Sequence, residues 1–401
     1  MFIKLKKIIK NFVELIVCII LMPIDLLCLL LPYPRKVELK KKILIIRLDG
    51  AGDFILWLDA AKGFRKLFPF PQYKLTLLGN SEWYSLARGM SFFDEVLPLE
   101  RRKFIINPIY RFNMLKKIRR ANYKKVIQPT FSRKFMFEDS IVRVSGAEER
   151  IGINSDFSRI QKWQKRISDQ WYTNIVHTKK GLLFELERNA EFIRKLGLAE
   201  FRAGIPELHI LGNLQVKINS EDYYVLFPGA RYKERQWPLS YFKELDRRLY
   251  KLTGWVGIIC GGPGEELLGE VLEQNLDIPL HNLVGRTSLQ ELISIIANAN
   301  ILVGNETCAI HISSAVSTPS VCILGGGHFG RFMPYQLEDV TDKPLPIAVY
   351  HKMNCFNCNW QCKYNVFNKR AFPCISQISV NDVWKDVEKL LETQYGLIDE
   401  S

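Results

Sequence analysis

The feature that most limits what this chain can fold into is one pattern used twice. A short apolar run leads into a glycine-containing turn and then into a stretch with helical spacing. The first copy is Lys42-Ile-Leu-Ile-Ile-Arg-Leu48, the turn Asp49-Gly-Ala-Gly-Asp53, and a helix expected over Phe54–Phe68 that stops before Pro69. A continuous apolar run suits a strand buried on both faces, which a parallel sheet provides. Lys74–Leu78 and Lys125–Gln128 read as further strands of that sheet. The second copy opens with Tyr223–Phe227, Pro228-Gly229-Ala230 and a helix near Leu239–Leu252. Strands at Val256–Cys260, Ile301–Val303 and Ser320–Leu324 follow, with helices at Leu289–Ala299 and Cys308–Val316 between them. Strands alternating with helices in both halves predict an α/β chain of two Rossmann-like, doubly wound domains, and 401 residues is a fitting length for two.

The expected boundaries are 1–35 for an apolar segment, 36–210 for the first domain, 211–350 for the second, and 351–401 for a cysteine-rich segment with a final helix. The linker is placed near Gly204–Asn219, where the pattern lapses. Phe131–Thr178 is basic, aromatic and weakly patterned, and reads as loops facing an acceptor.

The run from Phe12 to Leu31 has the length of a membrane span but is interrupted by Glu14, Pro23 and Asp25. Lysines precede it and basic residues follow it, so charge sets no orientation. No small-residue cleavage site follows, which argues against a secretory signal. The expectation is a kinked hairpin or interfacial helix on the inner leaflet, its basic flanks on anionic headgroups. A single span and a helix packed on the protein's own core are the alternatives.

The formal net charge of +14 favours anionic partners. No nucleic-acid-binding motif is present, and the basic residues gather around the apolar segment and the candidate sites, so nucleic acid is not expected as a partner.

Three motifs carry chemistry. In the first, Gly50 and Gly52 allow a ligand close to the backbone, and Asp53 stands where a helix begins. Asp53 either caps that helix or serves as a general base for a hydroxyl attacking an activated carbon. In the second, Gly229 follows a strand end, and Arg231, Lys233 and Arg235 form a cluster fit to clamp a diphosphate or to sit in solvent as a basic loop. In the third, Val303-Gly-Asn-Glu-Thr-Cys-Ala-Ile-His311 runs from a strand into a helix. Thr307 and the N–H groups near Cys308 would face an anion there, Glu306 would bind hydroxyls or cap the helix, and His311 is more often structural in such a setting.

Taken together and in this order, these motifs resemble glycosyltransferase family 9, the ADP-heptose:lipopolysaccharide heptosyltransferase family. Gly52-Asp53, Pro228-Gly229 with Arg235 and Trp237-Pro238, and Gly304-Asn305-Glu306-Thr307 with His311 and Thr318-Pro319 carry the likeness. Phe227 replaces the family's histidine, Glu306 its aspartate and Cys308 its glycine. The resemblance implies a GT-B type fold of two facing Rossmann-like domains, with the nucleotide on the second. It implies inverting, metal-independent transfer of a heptose or related sugar from a nucleotide-sugar donor, with ADP favoured. The acceptor would be a lipopolysaccharide core or another lipid-linked glycan at the cytoplasmic face of the bacterial inner membrane. Asp53 becomes the base and Arg235 the residue steadying the leaving diphosphate. Gly50, Gly52, Gly229, Arg231, Lys233, Glu306, Thr307, Cys308 and His311 become binding residues. No cofactor is implied for catalysis. The altered Glu306-Thr307-Cys308 triplet leaves one alternative, a non-catalytic sugar-nucleotide or polysaccharide-binding protein on the same fold.

Cys355, Cys358, Cys362 and Cys374 are spaced for a four-thiolate structural zinc site. Reduced thiols and disulfides are the alternatives. The five scattered cysteines read as buried free thiols.

Overall fold

A computed structural model describes residues 2–32, 41–209, 218, 220, 222–275, 277–337, 343–364 and 370–397, with the backbone alone for 2–13. The expected boundaries at 35/36 and 210/211, and most of the linker, lie outside the described residues. The chain divides into two compact units, Met1–Phe54 with Ala60–Lys179 and Asn189–Phe201, and Ile55–Asp59 with Lys180–Arg188 and Arg202–Ser401.

The first unit is built on six parallel strands, β1 (Lys41–Arg47), β2 (Tyr73–Asn80), β3 (Glu95–Leu99), β4 (Lys125–Gln128), β5 (Glu149–Ile153) and β6 (Asn174–Val176), in the order β3-β2-β1-β4-β5-β6. Ile45 pairs with Leu77 on one side and Ile127 on the other, so β1 is central and its apolar run is buried throughout. The second unit carries β7 (Tyr223–Phe227), β8 (Val256–Ile259), β9 (Leu280–Asn282), β10 (Ile301–Asn305), β11 (Ser320–Ile323) and β12 (Ile347–Val349), ordered β12-β11-β10-β7-β8-β9. Both sheets share one winding. The first strand of each is flanked by its second and fourth, so the order reverses beside it and opens a crevice at its carboxyl end, where such folds bind ligands.

Seven strands stand where the apolar runs put them. β3, β5, β6, β9 and β12 are short or carry charges, and local pattern does not show them. Phe131–Thr178 is therefore more than loops. It holds β5, β6, the helices Ser140–Ser145 and Lys162–Ser168, and a π-helical turn Phe135–Asp139.

The N-terminal segment is one helix, Phe2–Leu30, running through Pro23, and not a hairpin. Among the described residues no helix is long and apolar enough to cross a membrane. One side of this helix packs on the first unit. Asp25 is buried and receives a two-pronged ion pair from the buried Arg111 (Nε–Oδ1 2.7 Å, Nη2–Oδ2 2.7 Å) and a hydrogen bond from Ser140 Oγ at 2.5 Å. Arg119 donates to the carbonyls of Leu29 and Leu31 at the helix's end, which meets the unpaired acceptors a helix terminus leaves. The charge that flaws a membrane span is thus the charge that docks the helix. The other side is apolar and exposed, with Ile19 65%, Leu27 57% and Leu30 81% accessible.

The last helix, Val380–Tyr395, starts on a capping box of Ser379 and Asp382 and buries Val383, Val387, Leu390 and Leu391 in the core of the second unit.

Candidate active site

In the first unit β1 ends at Arg47, and Leu48-Asp49-Gly50 turns the chain into the helix Ala51–Leu67. Arg47 is fully buried. Its Nε lies 2.8 Å from Asp49 Oδ2 and its Nη2 donates to the carbonyl of Asp53 at 3.1 Å. Asn80 Nδ2 and Trp83 Nε1, both from the β2 side, donate to the Asp49 carbonyl at 3.0 Å. The turn is held from both flanks. A side chain at Gly50 would meet only Asp53 Oδ2, at 3.9 Å, so the protein's own packing does not demand glycine there. Asp53 sits half-buried in the first turn, and no described residue donates to its carboxylate. The capping reading of Asp53 therefore has no bond to support it.

Buried polar groups that the three motifs leave without a role lie in the same unit, and Asp49 feels the charges of both Asp53 and Glu138. Asp49 is pushed up to about 7, chiefly by burial, against the lowering attraction of Arg47 and with the like charge of Asp53 raising it further. Glu138, on the π-helical turn, is raised by burial too, with Lys134 and Arg101 opposing. Gln128, at the end of β4, is 0% exposed, yet neither of its amide atoms has a hydrogen-bond partner, and the same holds for Thr130 Oγ1, Glu138 Oε2 and Asp49 Oδ1. Burying such atoms unpaired costs about 1–3 kcal/mol each, so each calls for a partner, an ordered water or a ligand. The available signal was a polar residue closing an otherwise apolar strand.

In the second unit Gly229 follows β7. A Cβ there would lie 2.2 Å from Glu265 Oε2, and Glu265 accepts from the Gly262 N–H at 2.8 Å. A side chain at 229 would displace that carboxylate. Arg231 and Lys233 are exposed, while Arg235, closing a 3-10 turn Lys233–Arg235, is half-buried. Its Nη2 lies 3.4 Å from both Glu306 Oε2 and the Glu306 carbonyl, and its guanidinium stacks 4.0 Å from the centre of the Trp360 ring. Asn305 joins two motifs, accepting from the Trp237 N–H at 3.1 Å and donating to the Pro228 carbonyl at 2.7 Å.

Thr307 caps the helix Cys308–Ala315, accepting from Ala309 N–H at 3.4 Å. Glu306 is therefore the partner of Arg235 and not the cap. Cys308 is half-buried at the helix start. His311 is buried, its Nδ1 3.0 Å from the Tyr335 hydroxyl, and burial pulls it down to about 4, so it is neutral near pH 7.

All nine cysteines are free, and Cys18, Cys28, Cys260 and Cys322 are buried. Cys355, Cys358, Cys362 and Cys374 line one cavity with Gly326 and Trp360. Burial and the neighbouring thiols push Cys358 and Cys374 up. Among the described residues no three His, Cys, Asp or Glu side chains are disposed to hold a metal ion, so the four thiols share a cavity without converging on one point.

Lipooligosaccharide heptosyltransferase 2 of Haemophilus influenzae is 31% identical over 127 residues, covering 30% of this chain and 35% of the relative. Lipopolysaccharide heptosyltransferase 3 of Escherichia coli is 26% identical over 155 residues, covering 35% and 43%. The matched segments thus span between about a third and half of these relatives' length. The fold is shared with the family 9 glycosyl transferase of Veillonella parvula (TM-score 0.65, 18% identity, covering 89% of this chain and 99% of that one). It is also shared with the E. coli ADP-heptose lipopolysaccharide heptosyltransferase II (0.61, 17%, 88% and 99%) and the E. coli heptosyltransferase WaaC with ADP (0.63, 17%, 87% and 99%). The family signature described as glycosyltransferase family 9 (heptosyltransferase) matches residues 111–343, more than half of the chain. This chain belongs to glycosyltransferase family 9, the heptosyltransferase family.

Proposed function

We propose that the chain is an inverting, metal-independent glycosyltransferase. It moves a heptose or related sugar from a nucleotide-sugar donor, ADP-linked by preference, to a lipopolysaccharide core or another lipid-linked glycan. The acceptor hydroxyl attacks the anomeric carbon from the side opposite the diphosphate. The carbon–oxygen bond to phosphate breaks, Asp53 takes the hydroxyl proton, and Arg235 meets the charge on the departing diphosphate, with the N–H groups at Cys308 and the Thr307 hydroxyl beside it. Arg231 and Lys233 supply further positive charge. The polar groups around Gln128 and Thr130 serve the acceptor. The names of the matched relatives, and the ADP bound by a protein of the same fold, support this choice of donor and acceptor.

One observation carries the reading. Asp53 stands in the first turn after the central strand with its carboxylate uncommitted to any described donor. The experiment is Asp53→Asn with ADP-heptose and a truncated lipopolysaccharide acceptor. Turnover should fall by about 10²–10⁴ while ADP affinity and melting temperature hold. Full turnover in that variant would overturn the assignment.

We place the chain at the cytoplasmic face of the inner membrane, resting on anionic lipid through the exposed side of the helix Phe2–Leu30. Cys355, Cys358, Cys362 and Cys374 are the residues that would hold a structural zinc after their side chains reorient. Metal content of the purified protein tests this. A bound ion in wild type that is lost in Cys358→Ser supports it, and metal-free wild type refutes it.

A further inference from the structure

We propose that Trp360, in the cysteine-rich segment, is a positioning residue for Arg235. Its indole face is the platform that sets the guanidinium for the donor diphosphate. This rests on the donor-site reading of Arg235 and adds the residue that fixes its place.

Arg235 lies on a three-residue 3-10 turn, and its polar grip is weak. Its contacts to Glu306 are 3.4 Å long and its Nε is buried without a hydrogen-bond partner. The close contact is the Trp360 ring at 4.0 Å. A stacked guanidinium is held by its face, so its N–H edge stays available to phosphate oxygens. A tight carboxylate pair would consume those same donors.

The indole is itself braced. Trp360 Nε1 donates to His328 Nδ1 at 3.2 Å, and His328 Nε2 reaches Asn359 Oδ1 at 2.7 Å. Phe372 stacks with the indole at 6.0 Å, and the Phe372 N–H donates to the carbonyl of Glu234, the residue before Arg235, at 2.7 Å. The Asn357 and Asn359 N–H groups donate to the carbonyls of Gly326 and Gly327. A Cβ at Gly325 or Gly327 would come within 2.6 or 2.2 Å of the indole, so the loop after β11 is glycine where Trp360 enters it. The backbone at Trp360 is left-handed (φ +58°), a costly conformation for a large side chain that persists where the surroundings enforce it. Strain, glycine loop and hydrogen bonds all aim one ring at one arginine.

The test uses the full chain and ADP as probe, by calorimetry, with donor and acceptor KM alongside. Trp360→Leu keeps apolar bulk and removes the π face, and Trp360→Phe keeps a smaller face. Trp360→Leu should weaken ADP binding and raise donor KM by about three- to tenfold, leave acceptor KM unchanged, and be largely rescued in Trp360→Phe. Wild-type ADP affinity in Trp360→Leu overturns the proposal, as does a phenylalanine variant no better than the leucine one. Arg235→Ala separates the two readings. If it binds ADP normally, the donor-site reading falls and takes the platform with it. If it weakens ADP and Trp360→Leu does not, the platform alone falls. Should Trp360→Leu fail to fold, Trp360→Phe and Arg235→Lys form a double-mutant cycle. Non-additive effects on ADP affinity support the coupling, and additive ones overturn it.

Discussion

Arg47 and Asp53 are joined through the main chain. The guanidinium that pairs with Asp49 also donates to the Asp53 carbonyl at 3.1 Å, so one buried cation sets both ends of the glycine turn. The candidate base is therefore placed by a residue six positions earlier that never needs to touch substrate. Arg47→Met should cut turnover by about tenfold to a hundredfold, since small misplacements of a reacting group cost that much. Donor affinity should hold. The variant should also lose stability, because Asp49 is left buried without its partner and must take up a proton to stay neutral. Adding Asp49→Asn should restore most of the stability and little of the rate. Chemical unfolding and initial rates on the three variants check this. A double variant that regains full turnover would show that Arg47 matters only for folding.

How much of this was legible in the sequence follows from where the information lies. Ile43–Ile46 announce a buried strand because both neighbours in a parallel sheet require it, and Gly50-Ala-Gly52 marks its end. β6 has three residues with one fully buried, too little for any local pattern. The site divides similarly. Asp53, Arg235 and Thr307 follow strand ends and are found by position. Gln128, Glu138 and Trp360 matter through packing against segments far away in the chain, and spacing carries no trace of that. The N-terminal helix misled because apolar length is ambiguous. Asp25 reads as a flaw in a membrane span until Arg111, 86 residues on, is seen beside it.

That pair gives a second prediction. Asp25→Ala strands Arg111 among Phe104, Met136 and Ser140 with no carboxylate. Breaking a buried pair from one side costs about 3–5 kcal/mol, whereas replacing both partners by apolar groups is often neutral. Asp25→Ala should lower the unfolding midpoint sharply, and Asp25→Leu with Arg111→Met should recover it. Equal destabilisation in single and double variants would mean that the helix is held by its apolar contacts and not by this pair.

His311 supplies a pH dependence. Its folded value of about 4 lies below the unfolded value of 6.5 because burial penalises the charged ring. Below about 6.5 the unfolded chain takes up a proton that the folded chain refuses until about 4. His311's contribution to stability is complete above 6.5 and is lost as pH falls through that window, by up to roughly 3 kcal/mol. Asp49 and Asp246, held up at about 7 and about 6 by burial, slope the other way, so the comparison must be a difference. The stability of His311→Gln relative to wild type should rise between pH 6.5 and 4. A flat difference would place a proton on His311 in the folded protein.

The exposed side of the N-terminal helix makes the last prediction. Ile16, Ile19, Ile20, Leu26, Leu27 and Leu30 face outward on a helix whose opposite side is fixed by Asp25, Cys28 and the Arg119 bonds. A surface helix normally buries its apolar stripe and exposes its polar one. Here the inward side buries Cys18, Leu21 and Cys28 together with the ion pair, and the outward side is apolar as well, which leaves a row of large side chains for another apolar phase. Lysines at 4, 6, 7 and 10 adjoin it in sequence, so an anionic bilayer suits it better than a neutral one. The protein should float with vesicles containing phosphatidylglycerol, more weakly with pure phosphatidylcholine, and less at high salt. Ile19→Glu with Leu27→Glu should reduce vesicle binding at least about tenfold, since each change removes insertion energy and adds repulsion. Neither position contributes to the core, so melting temperature and turnover on a water-soluble acceptor should stay at wild-type values. If the double variant floats as well as wild type, the helix is not the seat, and the basic charge alone must account for any binding.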